Sequence, residues 1–201
     1  MKSLIFIFVC ALALFSCNNE PKSAFTGTIE NNTAPVGTIP EESIYNISDT
    51  FTTQNKREIV LKDFAGKPVV LGMIFTHCTY ACPRLTADIQ NIEKELGPNA
   101  KNVNFILISF DTERDTPAQL EKFKKEMNLD DRFTLLHGSE DAVRTLSVLL
   151  NIQFQKNSNG DFSHSNIISV LDKKGNLAYQ KEGIQADQKE TIKKLSALTM
   201  Q

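Results

Sequence analysis

The chain has 201 residues, of which 41% are apolar and 23% charged, and its formal net charge is −2. This length and composition suit one globular domain with accessory segments. Its lysines are scattered among acids, so the clustered basic surface typical of nucleic-acid binding is not expected. We therefore predict no nucleic-acid partner.

The N-terminus has the plan of an export signal. Lys2 precedes the apolar run Leu4–Phe15, which is too short for a membrane-spanning helix of about 20 residues. The run ends in LFSC, and Cys17 stands where apolar residues give way to polar ones, as in a bacterial lipoprotein signal. We expect Cys17 to carry lipid and to hold an exported domain on the periplasmic side of a membrane. The alternative is an ordinary cleaved signal with an incidental cysteine.

These features divide the chain into three parts. Residues 1–16 are predicted to be a lipoprotein signal peptide, and residues 17–43, rich in Asn, Thr, Ser and Pro, a flexible tether. Residues 44–201 are predicted to form the domain. Cys78 and Cys82 are the only cysteines of that part, and export places them in an oxidising compartment.

The predicted domain begins with short strands and continues with buried strands and amphipathic helices. Apolar runs indicate the buried strands, and apolar residues at helical spacing indicate the helices. In chain order, the sequence predicts short strands with turns near Ser48-Asp49 and Asn55-Lys56, a central strand at Lys67–Phe75, a helix from the cysteines to Gly97-Pro98, a strand at Val103–Phe110, a helix at Pro117–Met127 with Thr116 as N-cap, a short strand in RFTLLHG, a helix at Glu140–Leu150, a hairpin turning at Asp172–Gly175, and a helix at Gln188–Leu198.

This order of elements predicts an α/β fold. A central mixed sheet flanked by helices is expected, because the strand–helix repeats are followed by a hairpin. The dithiol lies between the first central strand and its helix, which makes a thioredoxin-like fold with short N-terminal strands the leading candidate. Fold alone does not give function.

The CxxxC spacing of Cys78 and Cys82 leaves three interpretations open. A structural disulfide closing so short a loop would remove little unfolded-state entropy, so this interpretation is the weakest. A helix N-terminus favours thiolates, which suits both redox exchange and metal binding. If both cysteines fall within the first helical turn, their spacing places them on one face.

A histidine favours the metal site over ordinary redox exchange. Thioredoxin-like oxidoreductases resemble one another in having two residues between the cysteines and a proline before the third central strand. Here three residues intervene, all seven prolines lie at or before Pro117, and His164 precedes that strand. Two thiolates and an imidazole suit Cu(I) and Cu(II), whereas zinc would lack a fourth cysteine. His77 is expected at the surface or behind the ligands, and His137 is expected to pack or cap locally.

Three segments together resemble the Sco/SenC family of copper chaperones. They are FTHCTYACP at Phe75–Pro83, ISFDTERDTPAQL at Ile108–Leu120 and HSNIISVLDKKG at His164–Gly175. Thr112 stands where the family usually has proline, and the anchor looks like a lipid where many relatives have a spanning helix. The likeness extends over roughly residues 44–198.

The resemblance implies a membrane-tethered domain that binds copper through Cys78, Cys82 and His164. It also implies assembly of the copper centre of cytochrome c oxidase subunit II, or of another copper-requiring exported protein, by delivering copper or by keeping cysteines reduced. Asp111 matches an acidic position near the site that is connected with metal transfer or partner contact. From the residues alone, Asp111 and Asp115 are also consistent with loop and helix-capping roles, and the flanking Thr116-Pro117 favour capping for Asp115.

Two other functions stay open. One is a thiol:disulfide oxidoreductase, an enzyme in which Cys78 and Cys82 are the redox-active pair. The other is a redox or stress sensor without cargo. Loss of His164 would distinguish the oxidoreductase from a copper chaperone. Thiol exchange can survive without this histidine, whereas stable Cu(II) binding should not.

Overall fold

The computed structural model describes residues 38–200, which form nine strands and four helices. The predicted signal peptide, Cys17 and most of the predicted tether lie outside these residues. The strands are β1 Thr50–Thr53, β2 Glu58–Val60, β3 Val69–Ile74, β4 Asn104–Ser109, β5 Phe133–His137, β6 Phe154–Lys156, β7 Phe162–His164, β8 Ile167–Leu171 and β9 Leu177–Glu182. The helices are α1 Ala81–Leu96, α2 Pro117–Glu126, α3 Glu140–Leu149 and α4 Lys189–Thr199.

Seven strands form one mixed sheet in the order β2-β1-β5-β4-β3-β8-β9. Strands β3, β4 and β5 are parallel, whereas β8 is antiparallel to β3 and to β9. The β8–β9 pair is the hairpin that the sequence predicts after the parallel strands. The predicted α/β class with a central mixed sheet is therefore confirmed.

The core lies against the middle of this sheet. Every residue of β3 and of β8 is buried, as expected for strands covered on both faces. Helix α1 packs on β3 with Leu85, Ile89 and Ile92, whose side chains are fully buried. Gly72 allows this close approach, because a Cβ added there would lie 2.9 Å from Ile89 Cδ1. The strand that precedes the cysteines is thus among the most firmly packed in the domain.

The predicted start of α2 is confirmed. The Thr116 hydroxyl accepts a hydrogen bond from the Gln119 N–H at 3.3 Å, and Pro117 occupies the first helical position. Capping satisfies one of the free N–H groups at a helix N-terminus, and proline there loses no helical hydrogen bond. The capped start of α2 therefore holds the C-terminal end of the loop between β4 and α2, residues 110–116, in place.

The described part of the chain differs from prediction near its start. Residues Ile44–Asn46 form a single 3₁₀ turn in a segment predicted as strand. Ser43 is buried, and its hydroxyl donates to the Lys174 carbonyl at 2.5 Å, so packed structure reaches into residues assigned to the tether. Within residues 38–200, no helix is both long enough and apolar enough to cross a membrane.

The sequence interpretation missed the hairpin β6–β7. It is a separate two-stranded sheet, and His164, expected in a loop, is the last residue of β7. Strands of three residues are too short to show a periodicity of two. The Asn159-Gly160 pair was the available signal, because Gly160 has a φ of +81° in the connecting turn. Residues 153–165, which carry His164, are called the arm below.

Candidate metal centre

The two cysteines occupy different positions around the start of α1. Cys82 lies in the first helical turn and is fully buried, whereas Cys78 precedes the helix and is partly exposed. The condition that both lie within the first turn, under which their spacing would place them on one helix face, is therefore not met. The chain enters the helix through Tyr80, which has non-helical dihedral angles, and this turns Cys78 back over the helix end. No disulfide joins the two thiols.

Backbone N–H groups hold both sulfur atoms in place. The Cys82 N–H donates to Cys78 Sγ at 3.3 Å, and the Phe75 N–H donates to Cys82 Sγ at 3.4 Å. Cys78 thus accepts from an N–H of the first turn that has no partner within the helix. The positive end of the helix favours a negative sulfur at this place.

The two thiols share one proton unequally. A hydrogen bond from the Cys82 thiol is the main reason that the pKa of Cys78 falls to about 3, with further donation from His164 and from backbone N–H groups. The same hydrogen bond, followed by burial, raises the pKa of Cys82 above the ordinary range. The metal-free pair consists of a Cys78 thiolate and a Cys82 thiol at neutral pH.

His164 reaches the dithiol from the arm. Its Nε2 lies 3.8 Å from Cys82 Sγ, and its Nδ1 lies 3.1 Å from the Ser165 carbonyl oxygen. A carbonyl oxygen only accepts, so this contact assigns a proton to Nδ1 and points Nε2 towards the sulfurs. Orientation through the second ring nitrogen is the usual arrangement of a metal-binding histidine.

The ligand atoms of Cys78, Cys82 and His164 all lie within 4.8 Å of one another. Two sulfurs and one imidazole form a donor set for a soft or borderline metal ion. The three residues predicted from the sequence are therefore brought together, although they come from two elements that are 82 residues apart. Their role as ligands stays a prediction.

The arm rests on a group of aromatic rings. Phe110 contacts the rings of both arm phenylalanines, Phe154 and Phe162, with centroid separations of 5.1 Å in each case. The His164 imidazole lies 5.0 Å from Phe110 and 6.0 Å from Phe75, the latter in edge-on geometry. Phe75 and Phe110 directly follow the central strands β3 and β4, so the sheet supports the arm through these rings.

A second group of potential ligands lies beside the first and is already occupied by hydrogen bonds. The fully buried Asp115 carboxylate accepts from the Thr76 N–H at 2.8 Å, from the Thr76 hydroxyl at 2.6 Å and from the Ser109 hydroxyl at 2.6 Å. His77, with 45% of its side chain exposed, places Nδ1 3.5 Å from Asp115 Oδ1. A helix-capping role for Asp115 is wrong, because Thr116 caps α2 while Asp115 connects the loop after β4 to the loop before α1.

Asp111 is also buried, with 1% exposure, and forms an ion pair with Arg114. Arg114 extends to the arm, where its Nη2 donates to the Gly160 carbonyl at 2.7 Å. Sequence analysis did not single out Arg114, because its spacing from Asp111 is that of an ordinary local ion pair. The partner contact predicted for Asp111 stays a prediction, and Cys17 lies outside the described residues. His137 ends β5 and belongs to neither group of potential ligands.

The comparison with protein families agrees with this geometry. The family model described as SCO1/SenC matches residues 40–200. The chain belongs to the SCO1/SenC family. This match contains the dithiol, the loop with Asp111 and the arm, and it begins close to the first residue that the structure describes.

Relatives and solved structures show the same relationship. The SCO1 protein homolog of Bacillus subtilis (strain 168) is 33% identical over 90 residues, which are 44% of this chain and 47% of the relative. A solved SCO1/SenC family lipoprotein from Bacillus anthracis str. Ames is 26% identical with a TM-score of 0.69, over 74% of this chain and 91% of that one. The Bradyrhizobium japonicum ScoI structure with copper bound is 25% identical with a TM-score of 0.65, over 75% of this chain and 96% of that one.

These likenesses settle the fold. The domain has the thioredoxin-like fold expected from the dithiol between a central strand and its helix. The chain spans about half the length of the curated relatives it matches first.

Proposed function

We propose that this protein is a copper metallochaperone that binds Cu(I) and Cu(II) through Cys78, Cys82 and His164. The observation that carries the proposal is the convergence of the two sulfurs and a ring nitrogen of His164 within 4.8 Å. Thiolates favour Cu(I), and imidazole suits Cu(II), so this set serves both oxidation states. The copper-bound ScoI of Bradyrhizobium japonicum, which is similar over most of the domain, supports the choice of metal.

The exposure of the ligands fits a transferable cargo better than a permanent cofactor. Cys82 is fully buried, whereas Cys78 and His164 are both partly exposed. An incoming ligand of a partner protein can therefore approach the metal from the side of these two residues while Cys82 still holds it.

We further propose where the protein acts. Residues 1–16 are the signal peptide, residues 17–43 tether a lipid at Cys17 to the domain 44–201, and the domain faces the periplasm. The Bacillus anthracis relative is described as a lipoprotein, which supports this anchor. Membership of the SCO1/SenC family supports a recipient with a thiolate copper site, namely the copper centre of cytochrome c oxidase subunit II or that of another exported protein.

Copper titration of the purified, reduced protein tests the proposal. One copper per chain should bind anaerobically, and the double variant Cys78→Ala/Cys82→Ala should lose it. His164→Ala should weaken Cu(II) binding by more than about a hundredfold. Even a substitution of a residue that only hydrogen-bonds to a metal ligand costs about 10–100-fold in metal affinity. Its Cu(I) affinity should change far less.

His77→Ala is the matched control, since His77 neighbours Cys78 but takes no part in the three-ligand set. It should bind both oxidation states like the unmodified protein. Copper binding that survives loss of both cysteines, or Cu(II) affinity unchanged in His164→Ala, would contradict the proposed site.

A thiol:disulfide oxidoreductase is the second candidate, favoured by the unequal exposure of the cysteines. The Cys78 thiolate would attack one sulfur of a partner disulfide and release the other sulfur as a thiolate. Cys82, after losing its proton to solvent, would then attack Cys78 Sγ, forming the Cys78–Cys82 disulfide and releasing the partner reduced. Rapid exchange with a model disulfide, with no stable copper, would favour this function.

A further inference from the structure

Arg114 connects the loop after β4 to the arm. Its Nε is paired with the Asp111 carboxylate, and its Nη2 donates to the Gly160 carbonyl at 2.7 Å. One guanidinium therefore joins a buried acid in the loop after β4 to the tip of a hairpin that pairs only with itself. The planar fork of arginine allows this, because its nitrogens point in fixed, different directions.

The arm needs such an anchor because it lacks support from the main sheet. Strands β6 and β7 pair with each other alone, and an isolated two-stranded hairpin is at best marginally stable in water. Its ladder places Phe154 opposite His164, so any loss of the hairpin also displaces the imidazole.

The other polar contact of the arm tip is weaker. Lys156 pairs with Glu113 at 2.5 Å, but the two side chains are 40% and 73% exposed, and exposed ion pairs contribute little. The Asp111 side chain, by contrast, is 1% exposed, and a buried carboxylate requires its partner. Asp111 therefore fixes Arg114, and Arg114 can fix the arm.

The turn is built to offer its carbonyl to Arg114. Gly160 has a φ of +81°, which side-chain-bearing residues rarely adopt, and its N–H donates to the Asn157 carbonyl at 3.0 Å. A Cβ at Gly160 would lie 3.9 Å from Arg114 Nη1, so the guanidinium lies directly against the turn.

We propose that Arg114 is a positioning residue that, held by Asp111, clamps the arm so that His164 Nε2 stays over the dithiol. This inference rests on the proposed function only in its consequence for copper. When the clamp opens, His164 leaves the site while Cys78 and Cys82 stay in place. Loss of the clamp should therefore weaken the retention of Cu(II) and spare that of Cu(I).

Hydrogen exchange of the metal-free protein tests the clamp independently of copper. Two variants are compared: Arg114→Gln, which removes the charge, and Arg114→Lys, which keeps a charge for Asp111 but lacks the second nitrogen for Gly160. Both should speed amide exchange of residues 154–164 at least about tenfold, as expected for losing a hydrogen bond from a charged donor. Amides of β3 and β4 should exchange at the unmodified rate in Arg114→Lys.

Arg132→Gln is the matched control, because Arg132 is paired with Glu93 and Asp130 and does not contact the arm. Arm exchange at the unmodified rate in both Arg114 variants would overturn the proposal. So would acceleration that is equal in the arm and in β3, since that outcome would mean general destabilisation.

The copper measurement follows on the same proteins. Cu(II) release to a chelator should be about tenfold faster in Arg114→Lys, while Cu(I) release stays unchanged. Faster amide exchange in the arm together with an unaltered rate of Cu(II) release would overturn the positioning role of Arg114. If the unmodified protein bound no copper, the proposed function would fail, and the exchange data would still decide whether Arg114 holds the arm.

Discussion

The dithiol loop and the arm contribute to one site from contrasting surroundings. The loop follows β3, in which every residue is buried, and its sulfurs accept hydrogen bonds from the Phe75 and Cys82 N–H groups. The arm has two three-residue strands, partly exposed, that rest on aromatic rings and on two arginines, Arg114 at Gly160 and Arg144 over the Phe154 ring. The core thus fixes the sulfurs, whereas a few side-chain contacts fix the imidazole.

This difference in support separates the binding of Cu(I), which depends on the sulfurs, from the binding of Cu(II), which also depends on the imidazole. The sulfurs, which favour Cu(I), are held by backbone N–H groups of the residue after β3 and of the first turn of α1. The imidazole, which supports Cu(II), can leave through a local opening of the kind that proteins undergo well below their global unfolding free energy. A site built in this way can change its preference between oxidation states without unfolding.

The largest expected effect concerns the pKa of Cys78. The value of about 3 depends first on the Cys82 thiol and less on His164. Cys82→Ala should raise this pKa towards that of an ordinary thiol, about 8.5, and slow alkylation of Cys78 at pH 6 by more than about tenfold. Alkylation becomes slower because a higher pKa of Cys78 leaves less of the reactive thiolate at pH 6.

His164→Ala should raise the pKa of Cys78 by much less, since the loop itself supplies the main hydrogen bond. Thr79→Ala, in the same loop and exposed, serves as the control. The measurement is the alkylation rate of Cys78 against pH. An equal rise in Cys82→Ala and in His164→Ala would mean that loop and arm contribute alike, contrary to the comparison above.

A pair of phenylalanine variants should separate the core from the arm. Phe110 lies under the arm, whereas Phe105 stacks on Phe133 inside the sheet at 5.2 Å. Phe110→Leu and Phe105→Leu should each lower the free energy of unfolding by about 1–2 kcal/mol, less than the cost of Phe→Ala. Only Phe110→Leu should also speed arm exchange, by about tenfold, because about 1.4 kcal/mol of lost docking corresponds to that factor.

Denaturant unfolding and hydrogen exchange measure these two quantities. Phe105→Leu is the control for general loss of stability, since both phenylalanines are buried. Arm exchange that is equally fast in the two variants would show that the arm opens only with the whole domain.

The smallest effect is expected at the exposed ion pair between Lys156 and Glu113. Lys156→Gln should change the free energy of arm closure by less than about 1 kcal/mol, because exposed pairs are weak and screened by salt. Exchange of the arm should stay within about fivefold of the unmodified rate. Lys122→Gln, which removes the exposed pair with Glu126 on α2, is the matched control. A tenfold acceleration in Lys156→Gln alone would place the main anchor at Lys156.

The sequence alone determined most of the sheet and singled out the three candidate ligands. Strands β3 and β4 were predictable because both are unbroken apolar runs, and α2 because Thr116 and Pro117 mark a helix start. The CxxxC motif was recognisable by residue type and spacing, since few side chains bind a soft metal, whereas His164 was chosen over His77 and His137 by its position before a central strand.

Only the tertiary structure decided how the ligands are held. That Cys82 is buried and Cys78 partly exposed follows from the exact start of α1, which local propensity does not fix. Asp115 was interpreted as a local cap, but it accepts hydrogen bonds from Thr76, which is 39 residues earlier in the chain.

The arm and its contact with Arg114 show most clearly what sequence patterns do not predict. Strands of three residues carry no detectable period, and the contact of Arg114 with Gly160 spans 46 residues. Sequence patterns report which residues are buried or turn-forming, because those properties repeat locally along the chain. They do not report which distant side chains meet, because that depends on how the folded sheet brings its loops together.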